Sequence, residues 1–216
     1  MMKGERVFIV GDIHGCLRML QALMEKVQWR RDVDRLIFLG DYVDRGEDSC
    51  GVIEYIMGIS ENSSRVECLM GNHERIFLDF IEGKDVSTFF LNGGTSTLSS
   101  YRMFQQKSGN SLIPETHIGF LRSLKPWVEL DEYYVVHAGM RPGAGLENQS
   151  QEDLLWIRDS FIFSTYRFKK RIIFGHTPFS RPLVMENKIG LDTGAVYGNR
   201  LTCLELPSFK FYSVEA

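Results

Sequence analysis

Apolar positions fall in short runs closed by turn residues: Arg6–Val10, Leu36–Leu39, Val66–Met70, Tyr133–Val136 and Arg171–Phe174. Runs of this length predict buried strands. Near the end, Leu201–Leu206 and Phe209–Val214 flank Pro207-Ser208, which predicts a hairpin. Between the runs the spacing turns helical. Leu17, Leu20, Leu23, Met24 and Val27 form one apolar stripe, and Ile76, Phe77, Phe80 and Ile81 form another. Strands alternating with helices predict an α/β fold. No repeat or low-complexity linker interrupts the chain, so one domain over residues 1–216 is expected. Residues 84–125 are the least regular stretch and are expected to form a cap or substrate wall that decides specificity.

Composition narrows the function classes. The 216 residues are 44% hydrophobic, enough for a sizeable core in one domain. The net charge is −3, and the densest basic run, Arg167 to Arg171, is interrupted by Phe168. Neither nucleic acid nor an anionic membrane is therefore the expected partner. Cys16, Cys50, Cys68 and Cys203 form no Cys-x-x-Cys pair and no disulfide framework. Val7–Val10, after a charged start, is too brief for a signal peptide or membrane span. A cytoplasmic protein is expected, and its oligomeric state is not written in the sequence.

The chemistry sits just after the strands. Val10 is followed by Gly11-Asp12-Ile13-His14-Gly15, and Leu39 by Gly40-Asp41-Tyr42-Val43-Asp44-Arg45-Gly46. Met70 leads into Gly71-Asn72-His73-Glu74, Val136 into His137-Ala138-Gly139, and Phe174 into Gly175-His176-Thr177. Ligands of open α/β sheets bind beyond the carboxyl ends of strands, and four of the five histidines fall in these loops. His117 is the exception and reads as a structural or surface histidine. Asp, Asn and His without Cys select Mn²⁺, Fe²⁺, Zn²⁺ or Mg²⁺ over soft thiolate-bound ions. Asp12 and His14 can chelate one ion, while Asn72, His137 and His176 offer donors to another. Asp41 is the natural bridging carboxylate. Two ions about 3.5–4 Å apart can activate a bridging water and stabilise in-line displacement at phosphorus. Arg45 offers a planar fork for phosphate oxygens. His73 is the candidate acid for the leaving oxygen, and Asp44 would favour its protonated form.

Together these five motifs resemble the calcineurin-like metallophosphoesterases. The Val-Asp-Arg-Gly extension and the lone histidine of Gly-His-Thr resemble the phosphoprotein phosphatase branch. The general branch more often has Gly-His-x-His, whereas position 178 here is Pro178. The resemblance implies a two-sheet α/β/β/α sandwich with the site at one end. It implies Asp12, His14 and Asp41 on a first metal and Asp41, Asn72, His137 and His176 on a second, with Mn²⁺ the expected ion. Asp44 with His73 then forms the acid dyad, and Arg45 and Asn72 contact the phosphate. Leu154-Leu155-Trp156-Ile157-Arg158 is similar to bacterial and phage protein phosphatases, where the arginine is a second phosphate clamp. Arg158 could instead only cap or pair on a helix. Leu191 to Gly198 resembles a segment shared with diadenosine tetraphosphate hydrolases. There Asp192 either supports a histidine ligand or caps a turn, and Tyr197 either lines the site or packs in the core.

The expected activity is a phosphomonoesterase acting on phosphoserine or phosphothreonine in proteins, by direct attack of a metal-bridging hydroxide. The first alternative is a symmetrical dinucleoside polyphosphate hydrolase, weighed down because this chain looks short beside such enzymes. A cyclic-nucleotide phosphodiesterase and a non-catalytic phosphoprotein-binding scaffold are the weaker readings.

Overall fold

The structure is a computed structural model that describes residues 5–61, 63–108 and 111–216. The first four residues of the charged N-terminus and residues 109–110 of the irregular stretch lie outside the described residues. In chain order the first half holds β1 (Val7–Val10), α1 (Leu17–Val27), β2 (Arg35–Phe38), α2 (Ser49–Ser60), β3 (Val66–Cys68) and α3 (Asn72–Ile81). Then come α4 (Val86–Leu91), α5 (Gly94–Ser108), α6 (Glu115–Arg122), β4 (Trp127–Glu129) and β5 (Tyr133–Val136). The last third contains α7 (Gln151–Trp156), α8 (Asp159–Ile162), β6 (Arg171–Phe174), β7 (Leu183–Val184), β8 (Lys188–Gly190), β9 (Arg200–Leu206) and β10 (Lys210–Glu215).

The strands form two mixed five-stranded sheets, ordered β10-β9-β1-β2-β3 and β4-β5-β6-β8-β7. Because side chains alternate across a strand, each strand divides its apolar residues between two cores. Val7, Ile9, Ile37 and Leu39 meet Val135, Ile173 and Ile189 between the sheets. Phe8, Val10, Leu36 and Phe38 turn outward under α1, α2 and α3. On the far face, Tyr134, Val136, Ile172 and Phe174 pack with Leu154, Phe161 and Ile162 of α7 and α8. The result is the expected α/β/β/α sandwich in one domain. Among the described residues, no helix is long and apolar enough to cross a membrane.

The parallel pairs β1–β2–β3 and β5–β6–β8 point their carboxyl ends to one edge. All five polar motifs therefore leave the sheets on the same side. The predicted strands and hairpin are present with shifts of one or two residues at their ends, and β4, β7 and β8 were not foreseen.

Residues 84–125 are a correction of another kind. They are largely helical, forming α4, α5 and α6. The sequence Gly94-Thr95-Ser96-Thr97 disguises the start of α5, because hydroxyl residues next to glycine are weak helix formers. Here those hydroxyls have tertiary work: Thr97 Oγ1 donates to Asp44 Oδ1 at 2.7 Å and Ser100 Oγ to Asp48 Oδ1 at 2.8 Å. His117 is fully buried between Tyr101 OH (3.0 Å) and Glu54 Oε1 (2.5 Å), which is the structural role expected of it.

Candidate active site

The loops after β1, β2, β3, β5 and β6 bring Asp12, His14, Asp41, Asp44, Asn72, His73, His137 and His176 together, all buried. Their backbone is held in demanding conformations. His14, Asp41, Asp44, Arg45 and His176 all have positive φ, between 46° and 70°. Such conformations cost of order 1–3 kcal/mol each and persist only where surrounding structure enforces them. Two glycines are required by close approach. A Cβ on Gly71 would collide with the Asp41 carboxylate, and one on Gly175 with Asp12 Oδ1.

Asp41 lies at the centre. Its Oδ2 is 3.4 Å from His14 Nε2 and 4.0 Å from His73 Nε2, and its Oδ1 is 3.4 Å from His137 Nε2. Two donor clusters share it, His14–Asp41–His73 and Asp41–His137–His176. Burial works to raise the Asp41 carboxyl, but the four imidazoles around it prevail and hold it well below the usual carboxylate range. Burial lowers His14 and His176 to about 3 and also lowers His137, so all three imidazoles are neutral at pH 7.

The tautomers follow from backbone carbonyls, which can only accept. His14 Nδ1 donates to Val43 O at 2.8 Å and His137 Nδ1 donates to Leu39 O at 2.9 Å. Their Nε2 lone pairs therefore face inward, as ligating imidazoles oriented by a carbonyl do. At His137 that lone pair meets Asn72 Oδ1 at 3.0 Å and Asp41 Oδ1 at 3.4 Å, with no proton between them. Three acceptors converge there, an arrangement that a cation satisfies. Asp12 carries a similar signal. Its Oδ2 accepts from the His176 backbone N–H at 2.8 Å, while its buried Oδ1 has no partner. Burial and the nearby Asp192 and Asp41 push its carboxyl up. The donor set thus fits divalent metal, although Asp12 lies outside the two tight clusters and His73 falls inside one.

The remaining candidates surround this centre. His73 Nδ1 and Asp44 Oδ2 are 2.7 Å apart. Burial works to lower His73, but Asp41 and the Asp44 hydrogen bond outweigh it and favour the imidazolium. Asp44 is no surface partner of Arg45; it is fully buried and receives Thr97 Oγ1. The two arginines approach from opposite ends, Arg45 Nη1 donating to His14 Nε2 at 2.7 Å and Arg158 Nε to His176 Nε2 at 2.9 Å. Arg158 also occupies the N-cap position of α8, without a side-chain capping bond. Tyr197 is 61% exposed, so it does not pack in the core; the Arg45 guanidinium lies 5.7 Å from its ring centre. Asp192 Oδ1 accepts from Gly194 N–H at 2.9 Å, the turn-capping alternative.

Glu74 had no role assigned from sequence. Its buried Oε2 accepts from the N–H groups of Asp41 (2.8 Å) and Gly71 (3.0 Å), and its Oε1 from Tyr42 (2.7 Å) and Val43 (3.3 Å). It fastens the loop that carries Asp41, Asp44 and Arg45. An acidic residue one step past the histidine, at the first turn of α3, was the only local signal.

A sandwich with neutral imidazoles, a shared aspartate and two guanidiniums at one sheet edge defines the metallophosphoesterase class. The calcineurin-like phosphoesterase profile matches residues 5–203, and the chain belongs to that family. It is 29% identical to the asymmetrical bis(5'-nucleosyl)-tetraphosphatase PrpE of Bacillus thuringiensis (strain Al Hakam), across 95% of this chain and 92% of that one. A solved structure described as a candidate diadenosine tetraphosphatase superposes with a TM-score of 0.77 at 25% identity, covering 98% of this chain and 93% of that one. A Saccharomyces cerevisiae protein serine/threonine phosphatase shares the fold, with a TM-score of 0.64 at 15% identity over 100% of this chain and 81% of that one.

Proposed function

We propose that this phosphoesterase hydrolyses dinucleoside polyphosphates, with asymmetric cleavage of a tetraphosphate into a nucleoside monophosphate and a nucleoside triphosphate. The observation that carries phosphoryl-transfer chemistry is the convergence of His14, His73 and His137 on Asp41, with Arg45 and Arg158 at the two ends. The dinucleotide substrate draws support from the likeness to PrpE along nearly the whole of both chains. It differs from the phosphoprotein expected from the motifs and, in its asymmetric cleavage, from the symmetrical hydrolase weighed beside it.

In this reading Asp12, His14 and Asp41 would hold one divalent ion, and Asp41, Asn72, His137 and His176 would hold the other, with Mn²⁺ the expected metal. Bound there, such ions supply an activated water and offset charge on the phosphoryl oxygens. The chain's own residues do the rest. Arg45 and Arg158 donate to non-bridging phosphate oxygens from opposite sides. Water attacks phosphorus, the bond to the leaving oxygen breaks, and His73 gives that oxygen its proton while Asp44 steadies the imidazolium. Asn72, beside His137 and His176, orients the phosphoryl group. Residues 84–125 supply one wall through α5.

A second reading, hydrolysis of phosphoserine or phosphothreonine monoesters, is favoured by the same two guanidiniums, which suit a terminal phosphoryl group. The deciding experiment compares kcat/KM of Mn²⁺-loaded enzyme for diadenosine tetraphosphate and for a phosphothreonine peptide, with products resolved by chromatography. A clear excess for the dinucleotide, yielding AMP and ATP, is expected. A clear excess for the peptide would transfer the assignment to protein phosphatase.

A further inference from the structure

A groove of about 870 Å³ opens beside the catalytic loops. Its inner end is formed by Gly15, Arg45 and Gly46, which directly follow His14 and Asp44 in the chain. Its walls come from the start of α1, the start of α2, the outer face of α5 and the turn at Ala195–Val196. The volume lies in the range of pockets that bury drug-sized ligands. It exceeds what a bare phosphoryl group needs.

The lining has the character of a nucleoside site. Leu17, Met103, Phe104 and Val196 give apolar surface. Phe104 is half-buried, and Met103 is 53% exposed on α5. An unbranched thioether and an aromatic edge suit a flat heteroaromatic base. Glu47, also in the lining, is exposed and makes no hydrogen bond or ion pair among the described residues. A free carboxylate facing a groove accepts well from vicinal ribose hydroxyls or an exocyclic amine. Its charge disfavours placing a phosphate there, while Arg45 at the inner end favours one. Arg45 thus stands at the catalytic end with Glu47 two residues on, and Met103 and Phe104 line the groove from α5, an arrangement that offers places for phosphate, ribose and base; Arg18 of α1 also lines the groove.

We infer that this groove binds the nucleoside attached to the phosphate under attack, with Met103 and Phe104 against the base and Glu47 on the ribose. The inference rests on the proposed hydrolysis of nucleotide substrates, and it adds a specificity site beside the candidate metal donors, built from residues that are not among them. It also gives α5 a reason to reach the site: the helix that steadies Asp44 through Thr97 offers Met103 and Phe104 two turns farther on.

The test uses inhibition of p-nitrophenyl phosphate hydrolysis by the Mn²⁺-loaded enzyme, with AMP and inorganic phosphate as competing probes. AMP is expected to inhibit about tenfold more tightly than phosphate, the factor one buried apolar contact supplies. Met103→Ala and Glu47→Gln, both at exposed positions, should each reduce that preference, and the double variant should bring it to within about threefold of phosphate. Because the two probes are compared within one protein sample, a general loss of folding or activity cancels. An AMP preference absent from the wild type, or unchanged in the double variant, would overturn the groove assignment. Turnover of diadenosine tetraphosphate by the same wild-type sample reads separately on the function. Its absence beside a retained, variant-sensitive AMP preference would overturn the dinucleotide reading and leave the nucleoside groove standing.

Discussion

Glu74→Gln tests how the site is held open. The native carboxylate is buried and accepts four backbone N–H groups, two on each oxygen. Burial and the Asp41 charge push this carboxyl up, while the hydrogen bonds from the Tyr42 and Asp41 N–H groups pull it down. Four donors nevertheless leave no lone pair suited to an acid proton, and the geometry calls for the ionised form. Glutamine keeps the volume and replaces one acceptor oxygen with an NH₂ group, which turns two hydrogen bonds into donor–donor contacts. Hydrogen bonds to a charged acceptor contribute about 1.5–3 kcal/mol each, so the loss is about 3–5 kcal/mol after some relaxation. For a chain of this length that lowers Tm by on the order of 10 °C. Three of the four donors belong to the loop bearing Asp41, Asp44 and Arg45, all at positive φ. Released strain there should displace the catalytic groups and reduce kcat by about 10²-fold, the effect of misplacement near 1 Å. Urea unfolding gives the stability change, and p-nitrophenyl phosphate turnover gives the rate. A variant within about 1 kcal/mol of wild type and within about twofold in kcat would refute the clamp.

Other substitutions probe separate links. His73→Asn should lose far more turnover on alkyl phosphates than on p-nitrophenyl phosphate, since an acid matters most for poor leaving groups; equal losses on both would remove the proton-donor role. Thr97→Val removes the hydroxyl that donates to Asp44 Oδ1 and accepts from the Asp44 N–H. It should cost about 1–2 kcal/mol in urea unfolding and mimic part of the His73→Asn leaving-group pattern; an unaltered pattern would leave Thr97 a packing residue. Asp34 tests pH linkage away from the site. Burial opposes its ionisation, but hydrogen bonds from Arg30 and Arg6 prevail and hold its carboxyl well below the usual range. A depressed carboxyl stabilises the fold above its unfolded pKa of about 3.9 and loses that contribution as pH falls below it. The stability gap between wild type and Asp34→Asn should therefore be wide at pH 7 and narrow steadily below about pH 4. A gap equal at pH 7 and pH 3 would contradict the assignment.

Much of the site was legible because its chemistry is tied to local punctuation. A short apolar run followed by Gly-Asp or Gly-Asn marks a strand end, and parallel pairing carries all such ends to one edge. The tertiary supports were hidden. Thr97 meets Asp44 across 53 residues, and Glu74 reaches back 33 residues to the Asp41 N–H. Nothing in local spacing encodes either contact. The strands β4, β7 and β8 are two or three residues long, too short for a periodic signal, and they are defined by their pairing: β4 with β5, β8 with β6, and β7 with β8. Residues 84–125 looked irregular because the hydroxyls of α5 weaken its helical pattern while serving Asp44 and Asp48. The substrate was the least legible feature. The phosphoprotein-type motifs describe how phosphorus is handled, whereas the groove beyond Arg45 is assembled from segments far apart in the chain.

Titration of metal-depleted enzyme tests the proposed dinuclear centre around Asp41. Mn²⁺ is added in known equivalents per chain while bound metal and p-nitrophenyl phosphate turnover are both followed. Two ions are expected per wild-type chain, with activity rising until the second site fills, and Asp41→Asn should bind less metal and stay inactive. Full activity with one ion per chain, or undiminished turnover in excess chelator, would contradict the account.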